Sequence, residues 1–113
     1  MTIQNTKILN HHFLADMYED SYFPPHLVDQ VKQILLDLCV EIETTKPKNL
    51  DELYLLTHTA TEKINDLQTA FDEAGSEIET VARDSIGMDF DFIAKAYDYH
   101  DADGEKLISP RDW

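Results

Sequence analysis

Apolar residues recur at helical spacing through most of the chain, and no stretch alternates as a half-buried strand would. One long pattern covers residues 25–44, with Leu27, Val31, Ile34, Leu38 and Ile42 on one face. Pro25 suits the first turn of a helix, where no backbone donor is needed. Leu36 and Val40 fall on the opposite side. A helix that is apolar on two sides is buried on both, or offers one to a partner. This segment is therefore expected to be the central helix of the core, closed by Lys46-Pro47-Lys48-Asn49.

A second long pattern covers residues 50–74, with a stripe of Leu53, Leu56, Ala60, Ile64, Leu67 and Phe71. Asn49 and Glu52 have the spacing of a capping box at its start. It stops at Glu73-Ala74-Gly75-Ser76-Glu77, where Gly75 can take the left-handed conformation that ends a helix. Ser76 and Glu79 repeat the capping box and predict a further helix from Glu77. Its apolar side is Ile78, Val81, Ala82, Ser85, Phe92, Ile93 and Ala96. Ahead of the central helix, Asn10 predicts a short helix over residues 11–20, with Phe13, Leu14 and Met17 on one side. Residues 1–9 are polar and expected to fray. Gly104 and Pro110 predict an irregular tail whose Leu107, Ile108 and Trp113 pack back on the bundle. The expected fold is all-α, a single compact bundle of about four helices over residues 1–113, with short loops that make neighbours antiparallel.

Composition narrows the function. A chain of 113 residues, 42% hydrophobic, can bury a core without disulfides or metals. Its net charge of −14 repels nucleic-acid backbones and anionic membranes and favours a basic partner, although many soluble domains are simply acidic. The start of the chain lacks a basic segment followed by an apolar one, and no run reaches membrane-span length, so a cytoplasmic location is expected. Cys39 is the single cysteine and lies in an apolar run, which excludes an internal disulfide and Cys-based zinc and makes it a core residue. Three glycines provide no phosphate-cradling loop, and no Gly-x-Ser-x-Gly occurs. No cofactor is expected.

Five features carry candidate chemistry. His58, Glu62 and Asp66 stand at i, i+4 and i+8, as do His12, Asp16 and Asp20, and such rows could hold a metal across a bundle. At about 100° per residue, however, Glu62 points nearly opposite Ile64 and Phe71, onto the outer face. Facing acids such as Glu62, Asp66, Glu77, Glu79 and Asp84 could hold Mg²⁺ for hydrolysis of a phosphorylated small molecule. A calcium loop with Gly104 at its sixth position fails, because Tyr99 and Pro110 then stand at its two ends. Asp89 falls in the middle of an apolar side. If buried, it needs a partner, with Arg83, Arg111 and His58 as candidates. Two other readings are favoured: Gly87 interrupts the helix and rotates Asp89 outward, or Asp89 caps a new helix from Phe90. Finally, Glu77, Asp84, Asp91 and Asp98 recur every seven residues, either as a solvated face or as a negative stripe that docks a basic protein.

The segments Asn10-His11-His12-Phe13-Leu14-Ala15-Asp16-Met17-Tyr18, Tyr22-Phe23-Pro24 and Leu53-Tyr54-Leu55-Leu56-Thr57-His58-Thr59-Ala60-Thr61-Glu62 carry a family likeness. So do Asn65-Asp66-Leu67-Gln68, Gly75-Ser76-Glu77-Ile78-Glu79-Thr80-Val81-Ala82-Arg83-Asp84 and Pro110-Arg111-Asp112-Trp113. Together they resemble a family of short bacterial proteins classed as a domain of unknown function. The resemblance covers nearly the whole chain and implies a single domain. The family has no assigned activity, so no catalytic residue is implied, but attention falls on His58, Glu62, Asn65, Asp66, Glu79, Arg83, Asp84 and the Arg111-Asp112-Trp113 end.

The leading expectation is a non-catalytic module that binds another protein through its acidic surface, for instance as an immunity-type inhibitor of a basic toxin. A metal-dependent hydrolase of a phosphorylated small molecule is the alternative. A homodimer that buries Leu36 and Val40 is a third.

Overall fold

In a computed structural model, which describes residues 2–113, the chain runs through α1 (Thr6–Leu9), α2 (Ala15–Glu19), α3 (Pro25–Thr45), α4 (Leu50–Asp66), α5 (Gln68–Glu73), α6 (Thr80–Ala96) and α7 (Gly104–Leu107). Among the described residues there is no strand, so the all-α bundle stands. Pro25 opens α3 at its first turn, as the pattern predicts. The helix ends at Lys46, which takes a left-handed φ of 50° ahead of Pro47. Leu27, Val31, Leu38 and Ile42 are buried, and so are Val28, Leu35 and Cys39. Leu36 and Val40 remain half-buried on the other side. The helix packs along α4, while α6 carries α2 and α7 against it.

Asn49 caps α4 by accepting the Glu52 N–H at 2.9 Å. Glu52 reaches back to the N–H of Lys48, one residue before the expected one. The single helix expected over residues 50–74 is divided at Leu67 into α4 and α5, but its stripe holds: Leu53, Ala60, Ile64 and Phe71 are buried. Thr57 and Thr61 are buried beside them, and each hydroxyl is returned to a backbone carbonyl of its own helix.

Gly75 has φ +78°, and the N–H groups of Ser76 and Gly75 reach back to Phe71 O (2.8 Å) and Asp72 O (3.0 Å). This is a Schellman ending, and it requires the left-handed residue. The second capping box does not form. Ser76 is buried with its hydroxyl unbonded, and α6 begins at Thr80 rather than Glu77. The intervening residues stay non-helical, which places Ile78 in the core. Starting the helix later rotates its face. Val81, expected inside, is exposed, and Ile86, Phe90 and Ala94 are buried in its stead.

The N-terminal segment also departs from expectation. Met1 lies outside the described residues, but residues 2–9 are tied down. Asn5 caps α1 through the N–H groups of Lys7 and Ile8, and its side-chain amide donates to Ala96 O at 2.8 Å. Glu43 accepts the N–H groups of Gln4 and Asn5 and the Tyr97 hydroxyl. The helix expected over residues 11–20 shortens to α2, because Asn10 ends α1 instead of starting a helix. At the other end, the tail is not wholly irregular, since Asp103 caps α7. Leu107, Ile108 and Trp113 are buried as expected. Asn65 clamps this segment by donating to Pro110 O (3.0 Å) and accepting the Asp112 N–H (2.9 Å). Among the described residues, no helix is long and apolar enough to cross a membrane.

Candidate functional site

Helix α6 passes through Gly87 without interruption, and Asp89 lies within it at only 6% exposure. Both favoured readings, an outward-turned Asp89 and a cap for a new helix, are therefore wrong. Packing across a continuous helix face decides the matter, because a face that covers Ile86, Phe90 and Ile93 carries Asp89 with it. None of Arg83, Arg111 or His58 is its partner. His11 Nε2 donates to one carboxylate oxygen at 2.8 Å, and the Leu14 N–H donates to the other at 2.7 Å. Leu14 has φ +55°, a conformation costly for a side chain that is not glycine, and this bond helps to hold it there. The His11 ring is stacked on Phe92 at 3.8 Å and meets the edge of Phe13 at 4.6 Å. Burial raises the Asp89 carboxyl above its ordinary range, and the bonds from His11 and Leu14 only partly offset this. Chemically this is an oriented acid–imidazole pair. Only the need of Asp89 for a partner announced it in the sequence, and nothing there selected His11.

The His11 ring also borders a cleft of about 560 Å³ beside α1 and α3. Ile8, Leu9, Leu36 and Val40 form apolar walls, and Lys32 and Asp37 are polar members of its rim.

The acidic row does not survive as one stripe. Glu77 precedes α6 and Asp98 follows it with φ +70°, so only Asp84 and Asp91 share the helix. Asp91 is paired with Lys95 at 2.7 Å. The acids gather instead around the Gly75 junction. Glu77 lies beside Glu79, and the closeness of that second carboxyl, followed by its charge, raises the Glu77 carboxyl. Tyr22 is 43% exposed nearby. Its hydroxyl is pushed up first by desolvation and then by Glu79, Glu77, Asp72 and Asp20. None of these four acids takes part in an ion pair among the described residues.

Arg83 is half-buried, its Nε has no hydrogen-bond partner among the described residues, and it borders a cavity of about 490 Å³ with Asp72, Glu77, Glu79, Asp112 and Trp113. Two segments that carry the family resemblance, around Arg83 and at Arg111-Asp112-Trp113, thus meet in space. Arg111 donates to Trp113 O at 2.6 Å, lies 3.6 Å from Glu105 and sits over the Trp113 ring at 5.7 Å.

The row of His58, Glu62 and Asp66 does not converge. His58 Nε2 donates to Lys106 O at 2.7 Å, while Glu62 and Asp66 are exposed. Among the described residues no group of three or more His, Cys, Asp or Glu is placed to share a metal. Cys39 is buried, and burial pushes its thiol up to about 12.

Fold and site together define a small helical bundle with a buried acid–imidazole pair, an adjoining cleft and an acidic junction. The chain belongs to a family of unknown function (DUF5713), whose profile matches residues 7–113. No curated protein and no solved structure matches it.

Proposed function

We propose that this protein is a non-catalytic binding module whose acidic junction docks a basic segment of another protein. The observation that carries this reading is the Glu77–Glu79 pair. Two exposed carboxyl groups stand side by side, with Asp72 and Asp20 close by, and none of the four takes part in an ion pair among the described residues. Like charges so placed repel, and a lysine or arginine from a partner would relieve the repulsion. Tyr22 adds an exposed aromatic face of the kind that anchors interfaces and receives cations. The net charge of −14 would speed the encounter and make it salt-dependent. An inhibitor of a basic toxin in a cytoplasmic setting is one concrete form, supported by charge and size. The hydrolase alternative draws no support from His58, whose ring nitrogen is spent on the Lys106 carbonyl.

The test compares two variants of equal charge, Glu77→Gln with Glu79→Gln and Asp72→Asn, against Glu41→Gln with Asp51→Asn and Glu62→Gln, which are exposed positions elsewhere. A lysine- and arginine-rich peptide is titrated at low salt and again at physiological salt. The junction variant should lose about tenfold or more in affinity, and the control variant much less. Equal losses would reduce the binding to net charge and refute the docking face.

A further inference from the structure

The cleft beside α1 and α3 is separate from the acidic junction and differs from it in chemistry. Leu9 is 60% exposed at its edge, Val40 is half-buried, and Leu36 packs against the core with part of its side chain left open. The core therefore accounts for only part of this apolar surface. Two nitrogen-bearing side chains share the cleft with it. Lys32 has no ion pair or hydrogen bond among the described residues. His11 spends Nε2 on Asp89, and its Nδ1 has no partner among the described residues. The ring is held from both sides, by the stack on Phe92 and by Asp89, so little ordering is needed to present that nitrogen. Asp37 also lines the cleft, its carboxylate accepting the Gln33 side-chain amide at 2.9 Å. That negative neighbour favours a singly charged head group over a phosphate. A cleft of about 560 Å³ falls within the range of small-molecule sites, which combine apolar walls with a few fixed polar groups.

We propose that this cleft binds a small amphipathic monocarboxylate, its apolar chain against Leu9, Leu36 and Val40 and its head group between Lys32 and His11. His11 binds it as the imidazolium, so that one ring N–H donates to Asp89 and the other to the ligand. The local nitrogens carry the selectivity, because the overall charge of −14 works against any anion at long range. A second copy of the chain is the less favoured occupant, since two such acidic chains repel.

The experiment titrates the full chain with octanoate, octanamide and octylammonium, three probes with the same chain length, and follows backbone amides by NMR. Octanoate should bind saturably and move the amides of Leu9, His11, Leu36 and Val40, with octanamide weaker by about tenfold. Lys32→Met, at a position with no ion pair or hydrogen bond among the described residues, should cost octanoate about tenfold and leave octanamide unchanged. Val40→Trp, which fills the cleft, should abolish both, with circular dichroism confirming the fold of each variant. The proposal is overturned if octanoate does not saturate, if octylammonium binds as well as octanoate, or if Lys32→Met has no effect. It is also overturned if the shifts track a concentration-dependent dimer in the absence of probe. The Glu77→Gln with Glu79→Gln change should leave octanoate binding unaltered, so this result stands or falls apart from the junction reading.

Discussion

Asp89 joins three parts of the chain that are distant in sequence: the helix it belongs to, the imidazole of His11 and the left-handed backbone at Leu14. Removing the carboxylate in Asp89→Ala leaves a buried N–H at Leu14 and a ring nitrogen at His11 without partners. The expected loss is about 3 kcal/mol, read by urea denaturation. Asp89→Asn keeps one acceptor and should cost less. Its deficit should also shrink as pH rises. The Asp89 carboxyl titrates higher in the fold than in the unfolded chain, so its contribution is full at acidic pH and is lost as pH climbs through the folded value. The amide cannot ionise and escapes that loss. A deficit that grows with pH would contradict the direction of the shift. At this scale the sequence marked Asp89 as anomalous but could not choose its partner. An acid needs a hydrogen bond, and many side chains could satisfy it.

Helices show a sharper division. Where a cap and a periodic face agree, as at Pro25 and Asn49, the elements form as the pattern predicts. The Gly75 ending was legible for the same reason, since it depends on one residue and its own backbone. Gly75→Ala should cost about 1 kcal/mol, measured by thermal or urea denaturation. The cost would come from the left-handed backbone alone, as a Cβ there meets nothing within 4 Å. A neutral substitution would mean that the turn can relax. The Ser76–Glu79 capping box was as clear by pattern and did not form. Burying Ile78 competed with it, and the core gained more from that side chain than a cap supplies. That shift moved Glu77 off the helix and dissolved the acidic stripe, so the candidate docking face changed from a row to a cluster.

For the molecule as a whole, both ends are held by bonds to residues far along the chain. Glu43 draws in the N-terminal segment, and Asn65 and His58 hold the C-terminal one. Burial opposes the charge of Glu43, but hydrogen bonds from Tyr97, Gln4 and Asn5 outweigh it and pull the carboxyl below its ordinary range. Its contribution is therefore full above the ordinary glutamate value and is lost as pH falls through the lowered one. Amide exchange at Gln4 and Asn5 should accelerate in that acid window, and Glu43→Gln should show the faster exchange already at neutral pH. Slow exchange in the variant would mean that α1 is held by packing alone. Sequence was sufficient for the helical class, the central helix, the Gly75 ending and the inward Leu107, Ile108 and Trp113, because periodicity, caps and apolar character act within a few residues of one another. The pairing of His11 with Asp89, the cleft beside it and the gathering of Glu77 and Glu79 near Tyr22 were decided by tertiary structure. Each depends on which faces meet, and that is settled by the competition of every apolar side chain for one core.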